Sequence, residues 1–276
     1  MPFLSQIQAH TPYEPFGVFA GLPFWPGGLT LVAAAPGVGK TSWVLHLTAE
    51  AARQGVPAAF LCYEHTPEEL RYRLRAQAAG TLFGPHPVRE EETEDAARSI
   101  EERMAQSGRL FLARPDDRME TPERLERLLK DVLPAGKPAL VGVDYLQRIP
   151  YVDVAGRVLT SHQGRDGAVA AAFKRMALEN EWHIVLIAAL EKTRFHADRD
   201  AIEALRQNPG AALAALLGDE RVAYEADRVL VLFRAGVRSC GCCYVWTMVA
   251  AKDRIAPLRT KQVVFWGRRF LPVLEV

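Results

Sequence analysis

Two stretches of this chain place phosphate- and metal-binding residue types close together: LVAAAPGVGKTS at 31–42 and ALVGVDYLQ at 139–147. In the first, an apolar run leads into a glycine-rich loop and then into a helical pattern, the context a phosphate-binding loop requires. Gly37 and Gly39 accept backbone angles closed to other residues, so successive N–H groups can turn towards a polyphosphate, aided by the positive end of the following helix. Pro36, Gly37, Val38, Gly39, Lys40, Thr41 and Ser42 are therefore the expected nucleotide-binding residues. The Lys40 ammonium is expected on the β- and γ-phosphates of ATP and the Thr41 hydroxyl on Mg²⁺. Ala34 stands where the GxxxxGK[ST] pattern has its first glycine, at the loop entrance.

In the second stretch Asp144 ends an apolar run, a position from which a carboxylate can approach a Mg²⁺ shared with Thr41. Tyr145 and Leu146 follow it where many nucleotide hydrolases carry a second acid, so the base that polarises water has to come from elsewhere. Glu64 is the candidate. It lies just beyond the apolar run AAFLCY at 58–63, and neighbouring parallel strands deliver their C-terminal residues to one sheet edge. The alternative is that Glu64 merely opens the next helix. However, Thr66, Pro67 and Glu69 already supply a cap, a first-turn proline and a capping-box acid.

The elements that must hold these groups follow from the hydrophobic pattern. Short apolar runs at 29–35, 58–63, 110–114, 139–144 and 183–190 alternate with helical patterns near 40–54, 67–79, 89–107, 121–133 and 165–180. That alternation predicts an α/β fold, a mostly parallel twisted sheet with helices on both faces. After residue 228 the runs VLVLFRA, CYVWTMVAAK, KQVVFWG and RFLPVLEV succeed one another with short breaks, predicting antiparallel strands added at the C-terminal edge. Residues 1–28, with five prolines among aromatic side chains, read as an arm or linker ahead of a domain spanning 29–276.

Composition narrows the setting. A chain of 276 residues with 49% hydrophobic content can bury a substantial core, and 34 basic against 33 acidic residues leave no global field for nucleic acid or membrane. No basic leader and no stretch of membrane-span length is present, so a cytoplasmic protein is expected. Cys240, Cys242 and Cys243 crowd into SCGCCY, which is compatible with zinc, with a reactive thiol, or with small apolar residues in a hairpin.

Six segments in order, LVAAAPGVGKTS, FLCYEHTPEELRYRLRAQAAG, ALVGVDYLQRI, HIVLIAALEKTR, LLGDERVAYEADRVLVLFRA and TMVAAKDR, make residues 17–274 resemble the RecA-like motor domain of DnaB-type replicative helicases. The resemblance implies a RecA-like P-loop ATPase using ATP and Mg²⁺, with Glu64 as catalytic glutamate and Asp144 as the metal-side aspartate. Glu191 falls where the family has a γ-phosphate-sensing Gln, a departure, since an ionised carboxylate donates no hydrogen bond. Lys252 and Arg254 match a K-x-R pair that reaches the nucleotide of the next protomer, which implies a homo-oligomer, a hexameric ring; the alternative is a solvated strand end. Single-stranded DNA is the implied partner, held by the loops at 148–167 and 191–210, through Arg157, Arg165, Lys192, Arg194 and Arg199. Asp153, Asp166, Asp198, Asp200 and Glu203 interleave with them, so a solvated polar loop is the competing reading. A replication or mobile-element protein is a further implied partner. A KaiC-like or recombinase-like regulatory ATPase that binds proteins without unwinding is the rival function.

Overall fold

The computed structural model describes residues 11–83, 110–116, 120–153, 155–190, 199–216, 220–237 and 243–274, together with a few positions between 94 and 102. The helical pattern at 89–107 lies almost wholly outside them. Each strand-helix repeat forms where the sequence period changes. Strand β1 (Leu29–Ala34) leads to α1 (Lys40–Arg53), β2 (Ala58–Cys62) to α2 (Pro67–Phe83), and β3 (Leu110–Ala113) to α3 (Pro122–Val132). Next comes β4 (Ala139–Asp144), a 3-10 turn (Leu146–Arg148) and the short strands β5 (Tyr151–Val152) and β6 (Val158–Leu159). Then α4 (His162–Asn180) precedes β7 (Trp182–Ala189), and α5 (Arg199–Gln207) and α6 (Glu220–Glu225) precede β8 (Arg228–Val237). The chain ends in β9 (Cys243–Asp253), β10 (Thr260–Trp266) and β11 (Leu271–Leu274).

Nine strands form one sheet in the order β11-β10-β9-β8-β1-β7-β4-β2-β3. From β8 to β3 every neighbour is parallel, whereas β8-β9, β9-β10 and β10-β11 are antiparallel, as the sequence pattern predicts. Strands β1, β2, β4 and β7 are buried along nearly their whole length, because helices cover both faces and leave no place for a polar alternation. One core lies between the sheet and α3, α4, α5 and α6, built from Leu31, Leu61, Leu125, Leu129, Phe173 and Leu186 among others. The other lies under α1 and α2 and contains Trp43, Leu47, Phe60, Leu70 and Ile187. Successive residues of β1 alternate between them: Leu29, Leu31 and Ala33 face the first, Val32 and Ala34 the second.

Val18, Phe19, Leu22 and Phe24 also belong to the second core, with Phe19 edge-on to Trp43 at 4.7 Å between ring centres. A bridge between Tyr13 and Phe24 folds this segment back on itself. The proline-rich stretch is thus packed on its own chain from residue 18 onward. No helix among the described residues is long and apolar enough to cross a membrane.

Tight approach of α1 to the sheet is set at Gly142 in β4. A Cβ there would stand 2.6 Å from Phe60 and 2.9 Å from Val44, contacts that side chains of a packed core do not tolerate. Gly142→Ala is expected to cost about 1–3 kcal/mol through overpacking, read as a lower midpoint in urea unfolding with an unchanged slope.

Candidate nucleotide site

The site begins with strand register. Ala34 lies opposite Ala189, and Cys62 opposite Asp144, so β1, β7, β4 and β2 all end at one edge of the sheet. Beyond Ala34 the chain turns through Gly37 at φ +76° and Gly39 at φ +107°, left-handed angles that only glycine takes without strain. Open space surrounds the Cβ position of Gly37, whereas a Cβ on Gly39 would meet the Trp246 ring at 2.6 Å. Gly39 is required twice, for its backbone angle and for the aromatic ring behind it.

Helix α1 starts immediately at Lys40, so Lys40 and Thr41 are fixed in its first turn. The Thr41 hydroxyl donates to Asp144 Oδ2 at 2.6 Å, and the Cys62 thiol approaches the same oxygen at 3.4 Å. Burial pushes the Asp144 carboxyl above the usual carboxylate range, although the bonds from Thr41 and Cys62 oppose the shift. A buried hard-oxygen pair of this kind fits Mg²⁺, which favours carboxylate and hydroxyl donors. Lys40 Nζ donates to the carbonyls of Ala34 and Ala35, at 2.9 and 3.1 Å. Its ammonium is held below the ordinary lysine range by burial, with the charges of Asp144 and Glu64 pulling it back up.

Glu64 stands exposed two residues past the end of β2 and lines the same cavity as Lys40, Thr41 and Asp144. It takes no part in starting α2. That helix is capped reciprocally: Glu69 N–H donates to Thr66 Oγ1 at 3.2 Å and Thr66 N–H to Glu69 Oε2 at 2.7 Å. Pro36, Gly37, Gly39 and Ser42 line the cavity too, Ser42 being buried with its carbonyl accepting from Gln77 Nε2, while Val38 packs into the core behind the loop.

The cavity measures about 770 Å³, ample for a mononucleotide, and one wall is aromatic: Tyr244, Phe265 and Phe270, joined by Arg73. Tyr244 and Phe265 face each other across β9 and β10, Phe265 stacks on Trp246 at 4.1 Å, and Arg73 lies over the Phe270 ring at 5.2 Å. A flat apolar surface beside a phosphate loop suits a nucleobase. The sequence reading missed this wall. Its signal was the alternation Tyr244, Trp246 in one strand against Phe265 in the next, legible only once the register of β9 and β10 is known.

Lys252 and Arg254 lie at the opposite edge of the sheet. Because β9 runs antiparallel to β8, its C-terminal end meets the start of β8, and Arg254 N–H donates to the Asp227 carbonyl. Four or five strand residues, roughly 15 Å, separate that edge from the phosphate loop. Lys252 Nζ donates to the carbonyls of Ala223, Tyr224 and Ala226, closing the end of α6, and Arg254 pairs with Asp227 at 3.1 Å. Neither side chain reaches the nucleotide cavity of its own chain.

The two arginines expected on nucleic acid within 148–167 behave differently. Arg157 sits at the β5-β6 turn with its side chain 77% exposed and paired to Asp153 at 2.7 Å. Arg165 is only 12% exposed and faces inward, bound to the fully buried Asp166 and to the Gln147 carbonyl. Its guanidinium is thus engaged by its own chain. Glu191, Lys192 and Arg194 lie outside the described residues, and Arg199 opens α5. Cys240 and Cys242 likewise lie outside them, Cys243 is buried, and among the described residues no group of three His, Cys, Asp or Glu is placed to hold a metal ion.

The family model described as DnaB-like helicase C terminal domain matches residues 18–270. Among solved structures, an ATPase domain aligns with a TM-score of 0.70 at 16% identity, covering 92% of this chain and 86% of its own. A DnaB-like replicative helicase, described with its interactions with primase, aligns at 0.69 and 18% identity. That match covers 92% of this chain but 58% of the helicase, so the chain spans little more than half its length. No curated protein matches in sequence.

Burial of Asp144 has a measurable consequence. A carboxyl raised in the folded state loses stability as pH rises from the unfolded value through the folded one, so the penalty is fully present above both. Asp144→Asn, which keeps an oxygen for Thr41, is expected to raise the thermal midpoint of the nucleotide-free protein at neutral pH while abolishing Mg²⁺-dependent hydrolysis. The gain in midpoint should shrink as pH falls towards the ordinary carboxylate range.

Proposed function

Since the chain belongs to the DnaB-like helicase C-terminal domain family, we propose that it is an ATP-hydrolysing motor that assembles as a ring, a hexamer, and moves on single-stranded DNA in replication or a mobile-element process. A helicase-type ATPase domain is common ground with the family; the translocating ring is our reading of this chain. The observation that carries it is the division between edges. Lys40, Thr41, Asp144 and Glu64 converge on one cavity, whereas Lys252 and Arg254 stand at the other end of the same sheet.

In this reading Lys40 binds the β- and γ-phosphates, and Thr41 and Asp144 hold Mg²⁺. The bound ion supplies positive charge to the phosphate oxygens. Glu64, exposed to the cavity, orients the attacking water and takes its proton. Tyr244, Phe265 and Phe270 exclude water from one side and receive the base. Arg254, with Lys252 beside it, swings from Asp227 and Tyr224 into the cavity of an adjacent copy. There it neutralises charge that develops in the transition state. Arg157, Lys192, Arg194 and Arg199 contribute to a basic channel that follows the sugar-phosphate backbone with strong salt dependence.

Hydrolysis is expected to rise when an oligothymidylate is added. Glu64→Gln should lose roughly 10²–10⁴-fold in turnover with nucleotide binding intact. Arg254→Ala should lose roughly 10³-fold or more. Mixing these two inactive proteins should restore activity, because one copy then keeps the base and its neighbour keeps the arginine. Mixtures as inactive as their components would exclude a role for Arg254 in trans. Hydrolysis indifferent to oligonucleotide would instead favour a regulatory ATPase of the KaiC or recombinase kind.

A further inference from the structure

Gln147 sits in the turn three residues beyond Asp144, buried and absent from the machinery described so far. Each of its polar groups has a specific fate. Oε1 accepts from the N–H of Ala189 at 3.2 Å, the last residue of β7 and a lining residue of the nucleotide cavity. Its main-chain carbonyl accepts from Arg165 Nη2 at 3.1 Å. Arg165 stands in the first turns of α4, directly after the β5-β6 hairpin that exposes Arg157, and is clamped there by buried Asp166. Nε2 is buried and has no hydrogen-bond partner among the described residues. The amide cannot simply be turned over, because Ala189 N–H requires an acceptor.

We propose that Gln147 is a positioning residue that couples the nucleotide edge of the sheet to α4 and the β5-β6 hairpin that exposes Arg157, without touching nucleotide itself. This rests on the strand-motor reading above. The turn carrying Gln147 moves with Asp144 because three residues separate them. Its side chain holds the end of β7 at the cavity, and its carbonyl holds α4, which follows the hairpin. One residue three positions beyond Asp144 therefore joins the cavity edge to the hairpin that exposes Arg157. The unanswered Nε2 is a buried donor left without a partner, a costly state that a shift of the turn would relieve.

The test is the ratio of affinities for a fluorescein-labelled oligothymidylate with ADP and with a non-hydrolysable ATP analogue, measured on the full chain. In the unaltered protein this ratio should depart clearly from one. Gln147→Met should bring it closer to one by up to about fivefold, the worth of one neutral hydrogen bond, with affinity for the nucleotide within about twofold of the original. Gln147→Glu keeps an oxygen opposite Ala189 N–H and should retain more of the ratio than Met does. Arg165→Lys keeps a charge beside Asp166, shortens the reach to the Gln147 carbonyl, and serves as an independent variant should the Met protein fold poorly. A lowered thermal midpoint with an intact ratio in both Gln147→Met and Arg165→Lys would show a purely structural role and overturn the proposal. No nucleotide dependence in the unaltered protein would overturn the strand-motor reading and this coupling together.

Discussion

The 2.6 Å bond from Thr41 to Asp144 ties the first turn of α1 to the end of β4, two elements distant in sequence. If β4 slipped by one residue against β7, Asp144 would turn to the other face and Thr41 would lose its partner, since side chains alternate with period two. The surrounding core makes such a slip expensive, because Leu140, Val141 and Val143 would exchange faces with it. Register is therefore paid for by apolar burial and read out as chemistry. The same constraint brings Cys62 against Asp144 and places Glu64 two residues further along, so the composition of the cavity is a consequence of how far each parallel strand extends.

Burial does opposite things to the two charges of this edge. It raises the Asp144 carboxyl and lowers the Lys40 ammonium, so each is less comfortable in its charged form than in water. Nearby carbonyls and the Thr41 hydroxyl compensate in part, and a metal-nucleotide complex would complete the set by supplying both a cation and an anion. The polar groups of this edge are turned to one another, in contacts that a bound ligand would replace.

Much of the plan was legible in the residues. Gly37, Gly39, Lys40 and Thr41 act within one short segment, and their geometry depends on local turn chemistry alone. Asp144 and Glu64 were legible because a parallel sheet sends strand ends to one edge, a rule that needs no side-chain detail. The inward turn of Arg165 was not legible: its sequence neighbours suggest a polar loop, and only the burial of Asp166 reveals why the guanidinium must face the core. Tyr244, Phe265, Phe270 and Arg73 come from four separate elements, and their meeting depends on sheet pairing that no local pattern encodes. Gln147 looked like one more residue after a motif. Its importance lies in partners 18 and 42 positions away.

Trp246 closes against Gly39 so tightly that a single added carbon on the loop would collide with its ring, and its other face is stacked on Phe265 beside the cavity. An indole so placed is an optical instrument built into the protein. A shift of the phosphate loop would change the surroundings of that ring, and once the other four of the chain's five tryptophans are replaced, its emission would follow loop position without a label. The packing that forces glycine at position 39 thereby also sets a native fluorophore directly against the loop.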